Sequence, residues 1–360
     1  MKHNLYLGIH PAPYRTDLCN WLYDRLDCEI YHLDAQGADL AFESSSFRES
    51  VRYEYKTYPS VSFSRKGYAF LADLVEKHHP EIVFVSEFSA TTLLMCLLKR
   101  LRKASFKVIS LCDDSMDMIF GNDFSRRHAL ARRFVPRLVD NLVLDNPEVT
   151  QWYRKHFGKG VYFPIIADER RFRNGLERAL PLAGKLADLH GLRGRKILLY
   201  VGRLIPLKQV DLLLRAYAPL KEEARLVLVG EGETMEELKA LDASLGTDAL
   251  FVGRKGGDEL LAWYDIGDIH LLPSRVEAFG AVTGEALTAG LFTLVSDRAG
   301  SKALVNPGNG AVLPADRPEA WTEAIRSFLD RIPDDRGITL RESRMPILFE
   351  EAVETAFLAL

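Results

Sequence analysis

The chain has 360 residues, 47% of them hydrophobic and 27% charged, which suits a water-soluble globular protein with two domains. Its net charge of −3 and isoelectric point near 6.3 argue against a nucleic-acid binder, since such proteins are usually basic. The four cysteines (Cys19, Cys28, Cys96, Cys112) lack metal-ligand or disulfide-framework spacing, and no apolar run suits a signal peptide or a membrane span. A cytoplasmic protein is expected.

In chain order, residues 4–9 read as a buried strand, followed by the Pro-rich loop from His10 to Arg15 and a helix over 17–26. A strand is expected at 28–33, and 35–60 is polar and poorly periodic. A helix over 68–79, a strand at 81–86 and a helix over 90–103 follow. The last of these ends in Lys99, Arg100, Arg102 and Lys103, which suit the negative end of a helix dipole. A strand at 106–111 then leads to Asp113 and Asp114, an Arg-rich helix over 125–139 and a strand at 141–144.

The second half repeats the alternation. Strands are expected at 196–203, 225–229, 250–254, 269–272 and 291–295, with helices over 210–220, 258–266, 280–289, 318–331 and 346–360. Strands alternating with helices throughout predict an α/β protein with doubly wound parallel sheets. Domains are expected at 1–165 and 166–345, with residues 346–360 forming a helix that returns to the first. The polar segment Pro333–Arg344 before that helix reads as a hinge.

The stretch from Ile269 to Gly300 carries the most chemistry. It reads strand, loop, helix, strand, loop, with Glu277 and Glu285 eight residues apart at the carboxyl edge of a strand. Ligands of open α/β sheets bind at that edge. The amides of Gly280, Ala281, Val282 and Thr283 begin the helix, where unpartnered N–H groups and the dipole favour an anion. A sugar linked to a diphosphate matches both features.

This stretch resembles the E-x7-E signature of the retaining glycosyltransferases of the GT-B fold, in the large group 1 or GT4-like family. Pro273-Ser274 before it, and Ser296-Asp297 and Gly300 after it, match as well. Gly202-Arg203 and Lys208, in GRLIPLKQVDLL, resemble the family's second motif, with Gln209 in place of the usual Gly. Pro164, Asp168 and Phe172 match its stretch between domains, where Ile165-Ile166 replace Asn-Gly. The resemblance implies two Rossmann-like domains facing a cleft, the first binding the acceptor and the second a nucleoside-diphosphate sugar. It implies retaining transfer to a carbohydrate or lipid-linked hydroxyl, with no metal or other cofactor, in cell-surface polysaccharide, lipopolysaccharide or glycolipid synthesis.

Residue by residue, the resemblance places Glu285 on the ribose and Glu277 by the donor sugar; unaided, Glu277 also reads as a loop carboxylate pairing with Arg275 or Arg298. Arg203 and Lys208 would grip the diphosphate, an arrangement two loop cations can make, or would be solvated. Phe279 falls inside the donor motif, and Arg254 either flanks the base or is solvated. His10, Arg15 and Asp113 are the candidate acceptor contacts. Asp114 is the candidate acceptor-side base, standing with Asp113 where the family usually has a catalytic-site His. Helix capping is the equally weighted reading of the aspartate pair. The cations near 99–103 and 126–137, beside Leu93, Leu94, Leu97 and Leu98, suit either a membrane surface or ordinary solvated helix faces. Two alternatives have other functions: a sugar-nucleotide 2-epimerase on the same fold, and a non-catalytic nucleotide-sugar-binding module.

Overall fold

A computed structural model describes residues 2–9, 12–33, 50–54, 56–58, 61, 63–121, 126–334, 336–358 and 360. His10 lies outside the described residues. The chain divides into two compact units, Met1–Ile165 with Glu351–Leu360, and Ile166–Glu350. Residues 346–350, expected with the returning helix, thus fall to the second unit.

The first unit is a seven-stranded sheet of β1 (Asn4–Gly8), β2 (Cys28–Leu33), β3 (Lys56–Tyr58), β4 (Ile82–Ser86), β5 (Lys107–Cys112), β6 (Asn141–Leu144) and β7 (Val161–Tyr162). The order is β3-β2-β1-β4-β5-β6-β7, with every neighbouring pair parallel. Its central strands are buried apolar runs, as helices on both faces of a parallel sheet require. The helices are α1 (Thr16–Arg25), α2 (Arg65–His78), α3 (Ala90–Arg102), α4 (Met116–Phe120), α5 (Arg126–Leu138) and α6 (Pro147–Phe157). Ser64, Ser89, Ser115 and Asn146 cap α2, α3, α4 and α6 by accepting first-turn amides.

The second unit has β8 (Lys196–Val201), β9 (Ala224–Val229), β10 (Leu250–Gly253), β11 (Ile269–Leu272), β12 (Phe292–Ser296) and β13 (Gly310–Leu313). These lie in the order β10-β9-β8-β11-β12-β13, again all parallel. Around them stand α7 (Glu169–Leu189), α8 (Val210–Tyr217), α9 (Met235–Leu245), α10 (Gly257–Ile266), α11 (Val282–Thr288) and α12 (Pro318–Leu329). Helices α6, α7 and α9 and strands β3, β7 and β13 were not anticipated. Asp168 caps α7 by accepting the Arg171 amide at 2.8 Å, so the matched Asp of the inter-domain motif starts a long helix.

The final helix, α13 (Phe349–Phe357), carries the chain into the first unit. There the Phe357 ring lies 5.9 Å from Trp21, 5.8 Å from Phe84 and 5.3 Å from Phe163, centroid to centroid. The polar segment ahead of α13 is not a loose hinge. Arg341 donates to the carbonyls of Tyr264 (2.6 Å), Ala289 (3.1 Å) and Gly267. Arg336 donates to the carbonyl of Ile266 at 2.7 Å, and Arg344 to that of Gly290 at 2.9 Å while stacking on Phe292. Arg336 also pairs with the buried Asp268. The polarity read as a hinge is a set of arginines that satisfies buried helix-end carbonyls. Among the described residues, no helix is long and apolar enough to cross a membrane.

Candidate active site

Each sheet reverses its winding direction at one place, and polar side chains gather there. In the second unit the reversal lies between the neighbours β8 and β11. The loop after β8 turns through Gly202 and Arg203 into a single 3-10 turn, Pro206–Lys208. Gln209 follows at φ 49°, the left-handed region that glycine adopts most cheaply. The chain therefore keeps the backbone shape of the expected Gly while carrying a side chain. The loop after β11 runs through Ser274 to Glu277.

Lys208 from the first loop and Glu277 from the second form a largely buried ion pair, and Ser274 Oγ donates to the same Glu277 oxygen at 3.3 Å. Glu277 pairs neither with Arg275 nor with Arg298. Its loop is clipped to the segment after β12 by Gly300 N donating to Glu277 O (3.2 Å) and Ser301 N to Phe279 O (2.8 Å). Gly280 makes the turn into α11 at φ 98°, and a Cβ there would sit 2.7 Å from Leu272 Cδ2 and 3.2 Å from Glu277 Cγ. Only glycine fits both constraints.

Of the four amides expected at this helix start, Thr283 N already donates to Gly280 O at 3.0 Å. Those of Gly280, Ala281 and Val282 have no such partner among the described residues. The Phe279 ring is buried, so only its backbone reaches the site surface. Glu285, on the half-buried side of α11, accepts a 2.7 Å hydrogen bond from Tyr264 OH. Burial raises its carboxyl above the ordinary range, while the Tyr264 hydroxyl and the Arg171 charge oppose that rise. Tyr264 packs edge-on against Phe172 at 6.1 Å, which ties the matched Phe of the inter-domain motif to Glu285. Arg203 is exposed, and Arg254 makes only an exposed 3.6 Å contact with Glu231. Among the described residues, no three His, Cys, Asp or Glu side chains are grouped to hold a metal.

In the first unit the reversal lies between β1 and β4. Arg15, at the end of the turn Pro13–Arg15 after β1, pairs with Asp113, the first residue after β5. Asp113 N donates to Glu87 Oε1 at 3.0 Å, and Glu87 is the first residue after β4, held at φ 57°. Asp145, the first residue after β6, is 2% exposed, and neither carboxylate oxygen has a hydrogen-bond partner. Glu87 and Asp145 were missed because each looks like one more loop acid. The available signal was positional, an acid directly after each of three consecutive strands.

Asp114 does not face an acceptor. It is 2% exposed, with Arg132 Nε at 2.8 Å, Arg132 Nη2 at 2.9 Å and Tyr153 OH at 2.9 Å from its oxygens. Ser115 N is a fourth donor at 3.1 Å, so this carboxylate has no lone pair left for a substrate proton and is not placed to act as the acceptor-side base. Nor does either aspartate cap α4, because Ser115 Oγ accepts the Met118 amide there.

Residues 189–336 match the family model described as glycosyl transferases group 1. The D-inositol 3-phosphate glycosyltransferase of Corynebacterium urealyticum is 28% identical over 218 residues, 57% of this chain and 50% of that protein. The lipopolysaccharide 1,2-N-acetylglucosaminetransferase of Salmonella typhimurium is 38% identical over 125 residues, 31% of this chain and 33% of that protein. The chain thus spans about half the length of the first relative and a third of the second. Among solved structures, Anabaena Alr3699/HepE in complex with UDP has a TM-score of 0.73 at 16% identity, covering 100% of this chain and 96% of that one. Residues 189–336 are thus similar to the glycosyl transferases group 1 family, and the fold is that of the GT-B glycosyltransferases.

Proposed function

We propose that the protein is a retaining, metal-independent glycosyltransferase that moves a sugar from a nucleoside diphosphate to an acceptor hydroxyl. The observation that carries this reading is the Lys208–Glu277 ion pair at the carboxyl edge of β8 and β11, inside the matched domain. Lys208 and the exposed Arg203 meet the diphosphate, and the amides of Gly280, Ala281 and Val282 meet its oxygens. Charge building on the departing diphosphate is stabilised by these preorganised groups, so no divalent cation is needed. Glu277 lies by the donor sugar and also fixes Lys208. Glu285 accepts from the ribose hydroxyls, and Arg254 flanks the base. The acceptor attacks from the face the diphosphate leaves, and a diphosphate oxygen takes its proton.

UDP is the favoured carrier, supported by the Anabaena fold neighbour's complexes with UDP and UDP-glucose. The acceptor belongs to a cell-surface polysaccharide or glycolipid, a reading supported by the lipopolysaccharide-related relative. Arg15 and Asp113 in the first unit contact it. That unit also touches an anionic membrane surface through α5 and α3. Leu130 (60% exposed), Phe134 (52%) and Leu138 (46%) recur every four residues along α5, with Leu97 and Leu101 exposed on α3. Arg133, Arg137, Arg100 and Lys103 on the same helices or at their ends add about 1 kcal/mol each near anionic lipid. The test is turnover of UDP-sugars in EDTA with proton NMR of the product. An axial donor linkage kept as an axial product supports the reading, and inversion or strict manganese dependence overturns it.

A further inference from the structure

Three consecutive strands of the first sheet each release a carboxylate as their first residue past the carboxyl end. These are Glu87 after β4, Asp113 after β5 and Asp145 after β6. The strands are direct neighbours in register, Ser86 opposite Leu111 and Cys112 opposite Leu144, so the three acids form a row along one sheet edge. Parallel α/β sheets bind ligands at that edge. Among the described residues a single cation, Arg15, serves the row, and it is paired with Asp113. The adjacent Asp114 has its own counter-charge in Arg132 and leaves none over.

Asp145 is the unusual member. Its side chain is 2% exposed with both oxygens unpartnered, whereas buried carboxylates are ordinarily paired or hydrogen-bonded. It lies close enough to Asp113, Arg15 and Glu87 for their charges to act on it. Glu87 holds a left-handed backbone, a costly conformation that tends to persist where a site requires it. The backbone is well supported there: Glu87 N donates to Leu111 O at 2.8 Å, and Glu87 O accepts from the hydroxyls of Thr92 and Ser110, each at 2.8 Å.

We infer that the row Glu87, Asp113 and Asp145 is a binding site for an ammonium group, and that the acceptor of this enzyme carries a primary amine, as an amino sugar does. The inference rests on the reading of the first unit as the acceptor-binding half. A neutral sugar offers hydroxyl donors to these oxygens but no charge. An ammonium brings three donors and the missing positive charge together. Burial and the neighbouring Asp113 push the Glu87 carboxyl up to about 8 and raise that of Asp145, the direction expected of acids short of positive charge. Arg15 stays on Asp113 and orients it toward the ligand.

The test is calorimetric binding at pH 7 of methyl glucoside and its four derivatives carrying an amine in place of the hydroxyl at C2, C3, C4 or C6. At least one amine should bind tenfold or more tightly than the parent glycoside. Asp145→Asn and, independently, Glu87→Gln should reduce that preference to threefold or less. UDP binding, measured on each protein, reports the donor half and the folding of each variant. If no amine beats the parent, the inference is overturned whatever the variants do, and it is equally overturned if the preference persists in both folded variants. Loss of UDP binding in the unmodified protein would instead contradict the glycosyltransferase reading itself.

Discussion

Lys208 and Glu277 lie 69 residues apart in sequence and form an ion pair where the second sheet reverses direction. Each comes from the loop after one of two neighbouring strands, so the pair exists only when the sheet is built. Removing Lys208 leaves Glu277 without its cation and, on the proposed reading, the diphosphate without a charge partner. Lys208→Ala should lower turnover by roughly 10²–10³, the usual loss on removing one preorganised charge-stabilising group. Glu277→Gln combined with it should cost much less than the two losses summed, because the residues act as a unit. Full additivity in steady-state kinetics would show that the pair is not functional.

The fold was legible because buried parallel strands are short apolar runs that end in punctuation, as at Pro273-Ser274 after β11. The missed helices lack that clarity. Helix α7 carries Pro181 in its interior, which reads as a break although Phe172, Leu176, Ala179, Ala183 and Ala187 form its buried stripe, and α9 buries only Leu238. The motif from Glu277 to Glu285 was legible because it sits within one stretch of chain, whereas the pairing of Glu277 with Lys208 needs the folded sheet. The row at Glu87, Asp113 and Asp145 was not, since sheet order, rather than sequence proximity, assembles it. Asp114 misled for a related reason: its partners Arg132 and Tyr153 are distant in sequence, and nothing local marks it as already occupied.

Asp114 and Asp113 should separate cleanly by experiment. Asp114→Ala strands the Arg132 guanidinium in a largely buried place, and breaking such a pair costs about 3–5 kcal/mol. Its melting temperature should fall, with activity lost only in proportion to unfolding. Asp113→Asn should fold normally, bind UDP and lose turnover. Equal melting temperatures for the two variants would contradict this division.

The acid row also sets a pH dependence. The folded Glu87 carboxyl titrates at about 8 against an ordinary 4.5, so between those values the folded state holds a proton that the unfolded state has released. The stability this proton confers is complete below about pH 4.5 and is lost as pH rises through about 8. Asp145, raised in the same direction, adds to the decline. Urea unfolding from pH 5 to 8.5 should show a shallower fall in Glu87→Gln than in the unmodified protein. An unchanged slope would mean that Glu87 does not carry the proton.

The returning helix is anchored by one ring. Phe357 meets Trp21, Phe84 and Phe163, and Phe357→Ala should destabilise the first unit by about 3–5 kcal/mol, as large aromatic deletions from cores do. Trp21 fluorescence should report that loss at a lower urea concentration. A midpoint unchanged from the unmodified protein would show that the helix contributes little.

On the proposed reading the second unit holds a nucleoside-diphosphate sugar through Lys208, Glu277 and Glu285 without a metal. Thermal unfolding with a panel of UDP-, GDP- and ADP-sugars in EDTA tests it most directly. One donor should raise the melting temperature in step with a stabilisation of about 2.7 kcal/mol at a hundredfold excess over its dissociation constant. Lys208→Ala and Glu285→Gln should each reduce that shift. No shift with any donor, or a full shift retained in both variants, would contradict the account.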